Sequence, residues 1–148
     1  MPNLSKTKGI YRVIDANINR TKEGLRVCEE ITRFIIDDRG LTSQFKKIRH
    51  QLDSLVNNLR NNPRLLNERD SLKDVGRTIK SRSELKRSDF RDIFFANIQR
   101  VKESIRVLEE FSKLDNVFVA LKFKAIRYGI YELEKKAIKK FSSLCRHR

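Results

Sequence analysis

The sequence predicts an all-α fold: an antiparallel bundle of four long helices, made from two copies of one αα-hairpin related by a pseudo-two-fold axis. Three observations predict it. Ala16–Glu30, ANINRTKEGLRVCEE, returns eighty positions later at Ala96–Glu110 as ANIQRVKESIRVLEE, and self-similarity of this kind marks a duplicated structural unit. The apolar positions that follow also match: Leu41, Phe45, Ile48, Leu52, Leu55 and Leu59 return seventy-eight positions later as Val119, Phe123, Ile126, Ile130, Leu133 and Ala137. The whole hairpin is thus repeated, with a turn two residues shorter. Finally, 36% of the residues are charged and there are only five Gly and two Pro, which favours long polar-faced helices over a sheet. Two such hairpins bury their stripes best against one another.

The elements follow in order, within a single domain over 1–148. Met1–Lys8 is polar and expected to be frayed. A first helix from about Ile10 to Ile36 places Ile14, Ile18, Leu25, Val27, Cys28, Ile31, Phe34 and Ile35 on one face at 100° per residue. Asp37, Asp38, Arg39 and Gly40 stop it with turn chemistry. Thr42 or Ser43 opens the second helix, which Asn61-Asn62-Pro63 ends, so repeat 1 covers about 10–60. Residues 61–87 form a long irregular connection, with Ser81-x-x-Glu84 as a capping box. A connection of that length is usually functional or disordered. Asp74-Val75-Gly76, flanked by Arg69 and Arg77, favours a ligand loop or lid; a plain surface linker is the alternative.

Repeat 2 covers about 88–140. Its first helix runs from about Asp89 to Leu114, with Ile98, Ile105, Val107, Leu108, Phe111 and Leu114 on one face. Asp115–Asn116 is the break before the last helix, and Ser142–Arg148 is a basic tail. Helices of around 25 residues are on the order of 40 Å long.

The formal charge of +15 favours anionic partners: nucleic acid, phosphorylated metabolites or a membrane surface. The positive charges are spread along every helix, and three Tyr with no Trp suggest no base-stacking platform. Cys28 lies on the apolar arc, where Leu108 replaces it, and Cys145 is in the tail. That usage fits a reduced, intracellular protein with no cysteine metal site. With no signal-like N-terminus and no apolar run of spanning length, a soluble cytoplasmic protein without a membrane partner is expected.

Some polar residues fall where the periodicity wants apolar ones. Asn17, Arg20 and Gly24 lie inside the first apolar arc, and Asn97, Arg100 and Ser104 inside the second. An Asn and an Arg facing a core are costly unless paired or turned to a ligand. Two Asn-x-x-Arg faces meeting across a pseudo-two-fold would form an anion pocket; a buried structural network is the alternative. The opposite arc carries Lys22, Arg26, Glu29, Glu30 and Arg33, mirrored by Lys102, Arg106, Glu109, Glu110 and Lys113. Ion pairs three and four apart account for these as readily as ligand contacts do. Carboxylates at Asp15, Glu23, Asp74 and Glu103 could hold Mg²⁺ together with substrate phosphates, as any charged helix could. His50 reads more readily as a helix-surface histidine than as a catalyst. No glycine-rich phosphate loop, H-E-x-x-H or paired C-x-x-C is present.

More specific are the strings Asp15-Ala-Asn17-x-x-Arg20-x-x-Glu23-Gly24-Leu25-Arg26-Val27-x-Glu29, Arg33-Phe34, Lys47-x-Arg49-His50, Arg69-Asp70, Asp74-Val75-Gly76 and Glu84-x-x-Arg87. Ala96-Asn97-x-x-Arg100, Glu103-x-x-Arg106-x-Leu108-Glu109-Glu110, Arg127-Tyr128 and Tyr131-x-Leu133-Glu134 follow. Over Tyr11–Lys135 they resemble the small all-helical hydroxymethylpyrimidine-phosphate kinase family of thiamine biosynthesis. That family occurs alone or fused ahead of thiamine-phosphate synthase; a chain ending near Arg148 is expected to carry no synthase domain.

The resemblance implies phosphorylation of 4-amino-5-hydroxymethyl-2-methylpyrimidine phosphate to its diphosphate, with ATP as co-substrate and Mg²⁺. It implies that Arg20, Arg100, Arg26 and Arg106 clamp phosphates, with Arg49, Arg69 and Arg87 adding positive charge. His50 and Gly76 join the substrate-binding set through the matched strings. Asp15, Glu23, Asp74 or Glu103 would hold the metal, and Asn17 and Asn97 would hydrogen-bond the substrate. Cys28 departs from an expected Leu, and Arg77 from an expected small residue. Two competing readings stay open: a basic helical nucleic-acid-binding module, whose affinity would fall steeply with salt, and a non-catalytic domain docking on a thiamine-pathway enzyme such as thiamine-phosphate synthase. A homodimer, the nucleotide preference and the division of ligands between the halves are also open.

Overall fold

The computed structural model describes residues 4–60 and 63–146. The chain forms α1 (Leu4–Glu30), which runs directly into a π turn (Ile31–Ile35), then α2 (Arg39–Arg60), the short α3 (Arg64–Asn67) and α4 (Arg82–Leu85), α5 (Phe90–Ser112) and α6 (Val117–Arg146). No strand occurs among the described residues. The four long helices close a ring: α1 packs on α5, α5 on α6, α6 on α2 and α2 on α1. Their stripes meet in one core that includes Leu25, Phe45, Leu52, Phe94, Ile105, Phe123 and Ile130. The Phe45 and Phe94 rings meet edge to face with centroids 6.1 Å apart, an arrangement that adds to simple area burial.

The α1/α5 contact carries the duplication. Thr21 Oγ1 lies 2.7 Å from Ser104 Oγ, and Cys28 Sγ lies 4.0 Å from the Phe94 carbonyl; as one residue number rises the other falls, so the helices are antiparallel. Adding eighty to one partner and subtracting it from the other turns the Thr21–Ser104 contact into Val101–Gly24. That second contact is also made: a Cβ at Gly24 would stand 2.6 Å from Val101 Cγ2 and 3.0 Å from the Asn97 carbonyl. Close approach of the backbones, rather than a special φ, is what requires glycine there.

The helix ends differ from the sequence expectation at several points. α1 starts at Leu4, about two turns before Ile10, so Leu4–Lys8 is helical. Contacts with the central connection hold its first turns: Lys8 lies 3.8 Å from Glu68, Arg64 covers the Tyr11 ring at 4.5 Å, and Arg12 donates to the Asp70 carbonyl. The helix-to-helix turn is tighter than expected, with Asp37 at φ 55°. Asp38, not Thr42 or Ser43, opens α2, its Oδ1 accepting from Leu41 N at 2.9 Å; Thr42 instead donates to the Asp38 carbonyl.

Asp89 caps α5, accepting from the backbone of Arg91 and Asp92, and Asn116 caps α6 by accepting from Phe118 N. Short Asp and Asn side chains are suited to both positions. The connection is less irregular than expected, since α3 and α4 lie within it, and Ser81 does not cap α4 with its side chain. The basic tail is helical through Arg146. The expected break at Asn61-Asn62 lies outside the described residues, as does Met1–Asn3.

Candidate functional site

A cavity of about 410 Å³ opens between α1 and the segment 69–74, within the range typical of small-ligand sites. Arg12, Asp15, Asn17 and Arg20 come to it from α1, with Asp15 and Asn17 at the two edges of the lining. Arg69, Asp70, Ser71 and Asp74 come from the connection that folds back across that face. Five residues singled out in the sequence, Asp15, Asn17, Arg20, Arg69 and Asp74, therefore share one hollow.

Guanidiniums and carboxylates come to the cavity from both sides: Arg12, Asp15 and Arg20 from α1, and Arg69, Asp70 and Asp74 from the loop. Arg69 donates to both oxygens of Asp15, from Nε to Oδ2 at 2.7 Å and from Nη2 to Oδ1 at 2.6 Å. These hydrogen bonds hold its guanidinium further into the charged state than usual. A bidentate fork fixes direction as well as charge, and Arg69 stays partly exposed beside the cavity. Arg12 is positioned through Asp70, and Arg20 makes no ion pair among the described residues. Asp70 Oδ1 accepts from Lys73 N at 3.2 Å and Asp74 Oδ1 from Gly76 N at 2.9 Å, so each loop carboxylate is oriented by its own turn.

Other expected site residues lie elsewhere. The two Asn-x-x-Arg faces do not close on one hollow, because Asn97 and Arg100 do not line this cavity. The antiparallel crossing is centred between the Thr21–Ser104 and Gly24–Val101 contacts, which sends Asn17 and Asn97 to opposite sides of it. One N–H of each amide is also spent within its own helix, Asn17 on the Val13 carbonyl and Asn97 on the Ile93 carbonyl, both at 2.8 Å. Arg26 and Arg106 are exposed and pair along their helices, Arg26 with Glu29 at 3.8 Å and Arg106 with Glu109 and Glu110, both at 3.2 Å. Arg49 reaches buried Glu29 at 2.9 Å, and its duplicate Arg127 reaches buried Glu109 at 2.9 Å. These pairs tie α2 to α1 and α6 to α5, and hold the Arg127 guanidinium charged.

His50 is exposed on α2, in a hollow with Lys46 and Lys47. Arg87 is exposed and donates to the carbonyls of Glu84 and Lys86. Gly76 acts through its amide on Asp74. The expected metal ligands are dispersed: Asp15 accepts from Arg69 on both oxygens, Glu23 is exposed and does not line the cavity, and Glu103 accepts from Gln99 on the surface of α5. Among the described residues no three His, Cys, Asp or Glu converge as a metal cluster. Hard carboxylate oxygens remain at Asp70 and Asp74, and a Mg²⁺ ion that arrives with phosphates needs only one or two of these.

Sequence reasoning gave no role to Arg12 or Asp70. Asp70 stood in the Arg69-Asp70 string. Arg12 lay near the expected helix start, and its place three residues before Asp15 and eight before Arg20 was the available signal. A second hollow of about 490 Å³ runs between α2 and α6, lined chiefly by apolar side chains with Lys122 as its one charged group; it is poorly suited to a phosphate.

The model of the ThiD2 family matches residues 12–136. The chain belongs to the ThiD2 family. The matched segment begins at Arg12 and takes in the cavity-lining residues from there to Asp74. Among similar relatives, thiamine-phosphate synthase of Nostoc punctiforme is 37% identical over 125 residues, 84% of this chain and 34% of that protein. The thiamine-phosphate synthase of Synechocystis sp. is 38% identical over 125 residues, 84% of this chain and 35% of the relative. That of Rhodopirellula baltica is 36% identical over 127 residues, 86% and 34% respectively. The chain thus spans about a third of the length of these relatives. No solved structure matches it. No helix of the described residues is long and apolar enough to cross a membrane.

Proposed function

We propose that this ThiD2-family chain is a phosphotransferase of thiamine biosynthesis that converts 4-amino-5-hydroxymethyl-2-methylpyrimidine phosphate to its diphosphate, with ATP as donor. The observation that carries the reading is the α1/69–74 cavity, where Arg12 and Arg20 come from α1 and Arg69, Asp70 and Asp74 from the connection across it. Phosphoryl transfer asks a protein mainly for positioning and for neutralisation of oxygen charge, and three guanidiniums with an adjacent amide supply both. Membership of a family whose similar relatives are thiamine-phosphate synthases supports the pathway. It is also consistent with a synthase that consumes the product, as a partner or as a covalently joined domain.

In the reaction an oxygen of the acceptor phosphate forms a bond to the γ-phosphorus, and the bond from that phosphorus to the β–γ bridging oxygen breaks. ADP leaves with the electron pair. The acceptor is already an anion, so no strong general base is needed. Arg69, held by Asp15, and Arg20 bind and orient the acceptor phosphate. Asn17 contributes an amide at the cavity wall, and Arg12 keeps the loop at Asp70 in register with α1. Asp74, with Asp70, would hold Mg²⁺, which when bound supplies charge neutralisation on the transferring phosphates. Arg100 of the second repeat is left as a candidate contact for the nucleotide.

The test is release of ADP by the whole chain with the pyrimidine monophosphate, with the free pyrimidine, or with no acceptor. Release that requires the monophosphate is expected. ADP release that does not depend on the monophosphate would overturn the assignment of this acceptor, and none under any condition would return the chain to the docking reading.

A further inference from the structure

The duplication provides an internal control for the surface. In the seventy-eight-residue register, Arg39, Gly40, Ser43, Lys47 and His50 of the first hairpin correspond to Val117, Phe118, Leu121, Ala125 and Tyr128 of the second. The two sets occupy equivalent outward positions on α2 and α6, and all ten residues are exposed. The first set is polar or small, as water requires. In the second, four positions carry larger apolar or aromatic side chains and the lysine has become alanine. Leu114, just before α6, continues the stripe. Exposure reaches 68% at Leu114, 59% at Val117, 77% at Phe118, 54% at Leu121 and 55% at Tyr128.

We propose that this α6 face binds a second copy of the chain, forming a two-fold dimer with the α6 helices antiparallel and crossing between Leu121 and Ala125. Along α6 the spacing of Phe118, Leu121, Ala125 and Tyr128 is three, four, three, the period of a helix–helix seam. It is symmetric about the midpoint between Leu121 and Ala125, as an interface made from one patch used twice must be. In that register Phe118 falls opposite Tyr128, and Leu121 falls opposite Ala125, where the apolar groove between α2 and α6 opens. A large side chain at the centre therefore meets a small one beside a hollow.

Tyr128 is preorganised as an anchor: its ring stands edge-on to Tyr131 at 5.7 Å and beneath the Arg127 guanidinium at 5.3 Å. Complete coverage of these side chains would bury at most on the order of 600 Å² per copy, or about 1,200 Å² for a pair, the lower edge of stable specific interfaces. Two chains of charge +15 repel one another, so the dimer is modest in affinity and strengthens as salt screens that repulsion.

Sedimentation of the whole chain tests this, from low micromolar to hundreds of micromolar, at low and high salt. The expected result is a mass approaching twice 17.5 kDa as concentration or salt rises. The triple variant L121S/A125K/Y128H, which gives α6 the residues of α2, should stay monomeric at every concentration while keeping its helical circular dichroism. If the triple variant unfolds, Leu121→Lys alone serves, with the same expected loss of dimer. A wild-type chain that stays monomeric throughout would overturn the proposal, as would a folded variant that still dimerises. It would also be overturned by a monomer whose α6 face is protected from labelling only when thiamine-phosphate synthase is added, which would make that enzyme the occupant. The outcome does not depend on the proposed chemistry.

Discussion

At Gly24 the two central helices meet with no room for a side chain, and the symmetry-related position shows why. Ser104 has its Cβ, but it faces Thr21 and exchanges a 2.7 Å hydrogen bond with it; Gly24 faces Val101, whose Cγ2 occupies the place of that hydroxyl. Gly24→Ala should therefore destabilise the fold by about 1–3 kcal/mol through overpacking, and Val101→Ala in the same chain should recover part of the loss in a denaturant titration. The arginines divide by burial. Glu109→Ala takes the carboxylate from Arg127, leaving it the Tyr131 hydroxyl, and should cost about 3 kcal/mol, whereas Arg106→Ala, at an exposed pair, should change stability by no more than about 0.5 kcal/mol.

Burial pushes the Cys28 thiol up, with nearby Glu134 adding to the effect. A thiol raised in the folded state stabilises below its unfolded value and loses that contribution as pH climbs. Stability should thus decline from about pH 9 and decline less in Cys28→Ala, as read by the midpoint of thermal unfolding across alkaline pH.

Among the elements, the four long helices were legible because each carries a full apolar stripe, and the stripe appears twice. Their ends were less legible. Thr42 and Ser43 offered good cap chemistry, yet Asp38 won because the left-handed turn at Asp37 lets its carboxylate reach the Leu41 amide; that turn cannot be seen in periodicity. The extra turns at the start of α1 were missed since Leu4–Gly9 has little stripe of its own, and Glu68, which meets Lys8, is distant in sequence. The cavity depends on the same long-range folding of the connection. Asn17 and Arg20 could be picked because they interrupt the apolar arc, but Arg12 and the pairing of Asp15 with Arg69 could not. Asp89, which caps α5 by accepting from two amides, gives a test at this scale. Asp89→Ala should cost about 1 kcal/mol in a denaturant titration.

For the molecule as a whole, duplication sets the frame and departures from it set the function. Equivalent glutamate–arginine pairs, Glu29 with Arg49 and Glu109 with Arg127, fasten each hairpin to its central helix. The departures are a connection that covers α1, where Asp15 locks Arg69, and an apolar rather than polar outer face on α6. In the second half the chain continues straight as α6 at the position where the first half turns back over α1. The cavity is consequently built from the first repeat and the connection, and the proposed phosphate chemistry is assigned there. The most direct measurement is kcat/KM for the pyrimidine monophosphate in Arg20→Ala and Arg69→Ala, compared with Arg106→Ala, alongside the thermal midpoint of each. Losses of at least about a hundredfold are expected for the first two, with Arg106→Ala near wild type. Unchanged kinetics in Arg20→Ala and Arg69→Ala, or losses that merely track their thermal midpoints, would contradict it.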